Sequence, residues 1–142
     1  MIIMFDFSLD IAGFLRDQKN VSAAWLFGST ATGKAGKNSD IDIAILFAPA
    51  LSKYERFDLR LLMAGELSRL TGREVDLVDI EAAPLFLQHQ IRKTGRLIVE
   101  KDHTYRVAFD VRSRQVYFDL APVLELRNRK LIQRITGGTG NG

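Results

Sequence analysis

Two short segments constrain this chain more than any others. One is an apolar stretch that stops at Gly-Ser, and the other opens on Asp-Ile-Asp. Both lie in Trp25–Phe47, WLFGSTATGKAGKNSDIDIAILF. Val21–Phe27 reads as a buried strand ended by Gly28, and residues 33–39 read as a loop rich in Gly, Lys and Asn. The residues DIDIAILF alternate at first and then become solidly apolar, the pattern of a central strand. Two carboxylates are thus expected on one face of an interior strand, their α-carbons about 6.5–7 Å apart.

Gly28-Ser29-Thr30-Ala31-Thr32-Gly33-Lys34-Ala35 also comes close to a P-loop. A P-loop needs a Ser or Thr hydroxyl after its Lys, and here Ala35 follows Lys34. It must also run into a helix whose N-terminus receives the phosphates, whereas this loop leads to a strand. Both requirements fail.

The aspartates make better chemistry. Adjacent carboxylates repel and resist ionising together. A strand holding Asp40 and Asp42 side by side gives up stability unless a cation neutralises them. Hard oxygen ligands suit Mg²⁺, which also bridges substrate phosphates. Two such ions can activate an attacking oxygen and stabilise a leaving one. Gly28 lets a phosphate approach the backbone, and Ser29 offers a hydroxyl and an N–H. Lys34 and Lys37 in the intervening loop are candidate polyphosphate contacts. The plainer explanation of Asp40 is a turn cap in KNSD, which leaves Asp42 unexplained. A third carboxylate is expected in EVDLVDI. Asp76 sits between Val75 and Leu77, where a charge needs a purpose. Asp79, near the strand end, is the alternative and is well explained by capping.

Elsewhere the chain alternates helix and strand. Ser8 is a candidate cap for a first helix with Ile11, Phe14 and Leu15 as its stripe. Ser52 and Glu55 form a capping-box pattern opening a helix with Phe57, Leu61 and Ala64 on its apolar side, widened by Leu59, Leu62 and Leu70, and stopped by Gly72. A strand over Glu74–Ile80 and a helix from Pro84 to about Lys93, ended by Gly95, follow. RLIVEKD is a possible fourth strand. From His103 to about Ile135 the chain reads as helical, kinked or split at Pro122. The expected fold is α/β or α+β: a small mixed sheet of three to four strands flanked by helices, with a helical C-terminus. A single domain is expected over residues 1–136, with residues 137–142 a disordered tail.

With 142 residues, 46% of them hydrophobic, the chain can bury a core unaided, and the absence of Cys excludes disulfides and thiolate metal sites. MIIMFDF does not read as a signal peptide, and no apolar run approaches the ~20 residues that span a bilayer. A cytoplasmic protein with no membrane partner is expected. The net charge of +3 is small, and its basic residues are scattered until RNRKLIQR, which reads as a solvated helix face. Direct nucleic-acid binding is not expected; the excess suits a polyphosphate or a partner with an acidic face. Trp25 and most of the C-terminal aromatics (Tyr105, Phe109, Tyr117, Phe118) are expected to be core. His89 and His103 have no ligand-like neighbours in the sequence.

Gly28-Ser29, ten residues, Asp40-x-Asp42 and then Asp76 in VDLVD resemble the minimal nucleotidyltransferases of the DNA-polymerase-β-like superfamily. The resemblance runs over roughly residues 21–120 and is nearest to the MntA type of antitoxin, encoded beside a HEPN-domain toxin of the HepT type. It implies a polymerase-β-like nucleotidyltransferase fold and a Mg²⁺-dependent adenylyltransferase that moves AMP from ATP to a tyrosine of the toxin and silences its ribonuclease activity. Ser29 would contact the triphosphate, Asp40 and Asp42 would hold the metals, and Asp76 would be the third carboxylate. The alternatives are an antitoxin acting by occlusion alone and a nucleotidyltransferase acting on a small molecule such as an aminoglycoside.

Overall fold

The computed structural model describes residues 7–28 and 40–140, with side chains as far as 137. Four strands, β1 (Val21–Phe27), β2 (Ile41–Phe47), β3 (Val75–Asp79) and β4 (Arg96–Glu100), form one mixed sheet in the order β3-β2-β1-β4. β1 runs antiparallel to both β2 and β4, and β2 and β3 are parallel. The helices are α1 (Ser8–Arg16), α2 (Lys53–Thr71), α3 (Leu85–Thr94) and α4 (His103–Gly140).

Strand alternation divides the core in two. Ile41, Ile43, Ile45 and Phe47 of β2 face α1 and α2, meeting Ile11, Leu15, Met63 and Leu67. Ala44 and Leu46 face the other way, with Ala23 and Trp25, toward Ile91 of α3 and Phe109 of α4. Both faces of β2 and β1 are therefore covered, which is why those strands read as nearly continuous apolar runs. Trp25 is core, as expected, and so is Phe109, with Tyr105 packed against it. Tyr117 instead stacks on His89, ring centroids 3.9 Å apart, and Phe118 is exposed.

Helix α2 is capped as its sequence predicts. Glu55 N–H donates to the Ser52 hydroxyl at 3.1 Å, and Ser52 N–H donates to the Glu55 carboxylate at 2.9 Å. Gly72 ends the helix at φ 68°, the left-handed cap that glycine adopts without a Cβ penalty. Its buried side differs from the expected one. Met63, Leu67 and Thr71 are buried, with Leu59 and Ala64 partly so, whereas Phe57, Leu61, Leu62 and Leu70 face solvent. The helix carries apolar residues nearly all round, so periodicity alone leaves its orientation open. α1 also departs in detail: it begins at Ser8 itself, and Phe7 occupies the cap position without a side-chain bond, packed against the core.

The expected break at Pro122 is absent. α4 runs through it as one helix of 38 residues, about 57 Å long at 1.5 Å per residue. Its first half packs on the sheet through Phe109 and the buried Ser113, whose hydroxyl donates to Gln88 at 2.6 Å. Its second half leaves Val123, Leu126, Leu131, Ile132 and Ile135 exposed. No helix among the described residues is long and apolar enough to cross a membrane.

Candidate active site

The sheet brings Gly28, Asp42 and Asp76 to one of its ends. Antiparallel pairing sets Phe27, the last residue of β1, opposite Asp42, so Gly28 lies just beyond it. Parallel pairing sets Asp76 beside Asp42. Asp42 shares its strand face with Ala44 and Leu46, the side covered by α3 and α4. Asp40 directly precedes β2 and is exposed, and Ser29, Lys34 and Lys37 lie outside the described residues.

Gly28 is required twice over. Its φ of 67° lies in the left-handed region, and a Cβ there would stand 2.5 Å from Asp42 Oδ2. Gly28→Ala therefore combines backbone strain of about 1–2 kcal/mol with displacement of the Asp42 carboxylate. Expected is a matching loss of stability in thermal melts and a fall in nucleotidyl transfer of about 100-fold, the scale attached to a 1 Å misplacement. Transfer within twofold of wild type would mean that the carboxylate does not need its observed position.

Electrostatics single out Asp42. Its carboxyl is pushed above the usual range by burial first, then by the negative charges of Asp76 and Asp40. Asp76, by contrast, is exposed, on an edge strand; its register with Asp42, not burial, marks it. Asp79 has a different role. It is buried on the α2 side, where Arg56 Nε donates to its Oδ2 at 2.6 Å and the backbone N–H of Glu81 donates to its Oδ1 at 3.2 Å. Alternation points Asp79 away from Asp42, and its oxygens are already engaged.

The donor set suits Mg²⁺. Asp42, its proton affinity raised by burial and then by two neighbouring carboxylates, is a site where a hard cation relieves both costs. Among the described residues no group of three or more acidic, thiol or imidazole side chains is placed to hold a metal ion. Mg²⁺ characteristically uses one or two carboxylates together with substrate phosphates, so an open pair is the expected protein contribution.

A mixed sheet with a glycine turn beside paired carboxylates at one end is the architecture of a nucleotidyltransferase. Residues 10–104 match the family described as polymerase beta, nucleotidyltransferase, and the chain belongs to that family. A protein adenylyltransferase MntA of Shewanella oneidensis is 37% identical over 87 residues, covering 61% of this chain and 60% of the relative. A second, from Aphanizomenon flos-aquae, is 27% identical over 84 residues, covering 54% and 55%. The chain thus spans less than two thirds of the curated relatives it matches. Among solved structures, a toxin–antitoxin complex with AMP-PNP superposes with a TM-score of 0.72 at 28% identity, over 88% of this chain and 98% of that one. A tri-AMPylated Shewanella oneidensis HEPN toxin in complex with its MNT antitoxin gives 0.66 at 26% identity, over 88% and 95%.

Proposed function

We propose that this protein is the antitoxin of a HEPN/MNT pair, a Mg²⁺-dependent adenylyltransferase that moves AMP from ATP to a tyrosine of its cognate HEPN toxin in the cytoplasm and so neutralises a ribonuclease. The observation that carries this reading is the Asp42–Asp76 register beside the left-handed Gly28. The relatives named above, one pairing an AMPylated HEPN toxin with its antitoxin, supply the substrate class.

In this reading Gly28 leaves room for the triphosphate to approach the end of β1, and Ser29, Lys34 and Lys37 contact it. Asp40 and Asp42 would hold Mg²⁺, which when bound would supply charge neutralisation to the substrate phosphates. Asp76 accepts the proton of the incoming tyrosine hydroxyl. The new bond joins that oxygen to the α-phosphorus, and the bridge to the β-phosphate breaks to release pyrophosphate.

The test is transfer of label from α-labelled ATP to the cognate HEPN toxin. Label is expected on a toxin tyrosine with Mg²⁺ present, and chelation of the metal by EDTA is expected to remove it. An unlabelled toxin under both conditions would refute catalysis. Occlusion is favoured by one observation, the exposed apolar side chains on the second half of α4. If Asp40→Asn/Asp42→Asn still protects cells at normal expression, binding alone suffices.

A further inference from the structure

A groove of about 430 Å³ runs along the outer edge of β3, between the first turns of α2 and the start of α3. Asp76 lines it, so it is continuous with the carboxylate end of the sheet. One wall carries Tyr54 and Phe57, 73% and 52% exposed, and the other carries Pro84 and Leu87. Lys53 and Arg60 stand over the two rings, 5.5 and 5.1 Å from their centroids. The wall is therefore apolar surface edged by positive charge.

We infer that this groove holds an extended segment of the protein acceptor, with an apolar or aromatic residue of that segment seated between Phe57 and Leu87 and its neighbouring tyrosine delivered to Asp76. This inference rests on the adenylyltransferase reading and adds to it the surface that selects the acceptor. Strand order decides the occupant. Gly28 lies at the end of β1, Asp42 on β2, Asp76 on β3, and the groove beyond β3. Neighbouring strands are about 4.8 Å apart, so the glycine turn and the groove flank Asp42 on opposite sides. Displacement at phosphorus is in line, and the attacking oxygen enters opposite the leaving group. With pyrophosphate departing on the Gly28 side, the hydroxyl arrives from the groove side. Its oxygen bonds to the α-phosphorus, its proton goes to the Asp76 carboxylate, and the broken phosphate bridge keeps its electron pair on pyrophosphate.

The segment is held by side chains and does not add as a fifth strand. Val75 N–H donates to the Ser68 hydroxyl at 3.1 Å, and Leu77 C=O accepts from Arg60 at 3.3 Å, so α2 already occupies part of the β3 edge. From Asp76 to Asp79 the edge measures roughly 10 Å, the length of a three-residue extended segment.

The experiment uses Tyr54→Ala/Phe57→Ala, both positions exposed, with the cognate HEPN toxin as acceptor. Expected is a fall in kcat/KM for the toxin of roughly 10–100-fold, carried by KM, as for loss of aromatic contacts at an interface. The affinity for Mg²⁺·AMP-PNP, measured by calorimetry, is expected to stay within about twofold. An unchanged KM for the toxin overturns the inference. So does a lost AMP-PNP affinity, which would assign the groove to the nucleotide base. A photo-crosslinking residue at position 54 reads out docking without catalysis. A crosslink to the toxin segment bearing the tyrosine supports the groove even if no AMP is transferred, and its absence overturns it. Transfer by wild type with no effect of the double variant would sink the groove and leave the enzyme reading intact.

Discussion

Asp42→Asn is expected to lower AMP transfer by at least about 1,000-fold while raising the thermal stability of the metal-free protein. The first effect follows from the proposed role of Asp42 as a charged ligand to Mg²⁺, a Lewis acid worth several kcal/mol of transition-state stabilisation, each 1.36 kcal/mol being tenfold in rate. The second follows from the raised proton affinity of Asp42, caused by burial and by the charges of Asp76 and Asp40. A carboxyl raised on folding supports the fold fully at pH below its unfolded value and loses that support as pH rises through its folded value. At neutral pH the ionised group therefore costs stability, and Asn keeps its shape without its charge. The melting temperature of the variant should exceed wild type most at neutral pH, and the gap should close on acidification into and below the ordinary carboxylate range. Adding Mg²⁺·AMP-PNP should stabilise wild type and leave the variant unmoved, because only a species that binds the folded form raises its melting temperature. A variant no more stable than wild type at pH 7 in chelator would refute the electrostatic account, and full transfer activity would refute the metal-ligand role.

The parts of the chain governed by short-range rules were readable in the sequence. Val21–Phe27 and Ile41–Phe47 announce themselves because both faces of β1 and β2 are covered, and the Ser52/Glu55 box and Gly72 mark the ends of α2 through local hydrogen bonds and a left-handed turn. The Asp42 anomaly was visible for the same reason, as a charge in a run that packing makes apolar. What stayed hidden depends on contacts distant in sequence. The face that α2 buries is chosen by Ile11 of α1 and by Ile43 and Leu77 on the sheet face that both helices cover, and a helix with apolar residues on every side carries no signal of that choice. The groove beside Asp76 exists only because β3 is an edge strand, a fact of strand order. In sequence Asp76 stands out as a charge inside a strand, whereas in the fold it is exposed and is marked by its register beside Asp42.

Asp76→Asn and Asp79→Asn should separate function from stability at two positions three residues apart on one strand. Asp79 and Arg56 form an ion pair at 2.6 Å, with 9% and 17% of their side chains exposed, and Arg56 also donates to Leu51 C=O at 3.2 Å. Removing the carboxylate charge leaves a largely buried guanidinium uncompensated, which costs 3–5 kcal/mol in a fully buried pair and about 2–3 kcal/mol here after allowing for residual solvent. For a chain of 142 residues that corresponds to a fall in melting temperature of roughly 6–12 °C. Below its transition Asp79→Asn should still transfer AMP at close to the wild-type rate, because its side chain is on the α2 side of the sheet and Asp42 on the other. Asp76 is exposed, and its charge repels Asp42. Asp76→Asn should therefore melt no lower than wild type, yet transfer about 10²–10⁴-fold more slowly for want of a proton acceptor at the incoming hydroxyl. The contrast is measured by melts and single-turnover transfer on the same samples. A reversal, with Asp79→Asn inactive but stable and Asp76→Asn active, would move the third carboxylate to the other face of β3 and with it the direction from which the acceptor arrives.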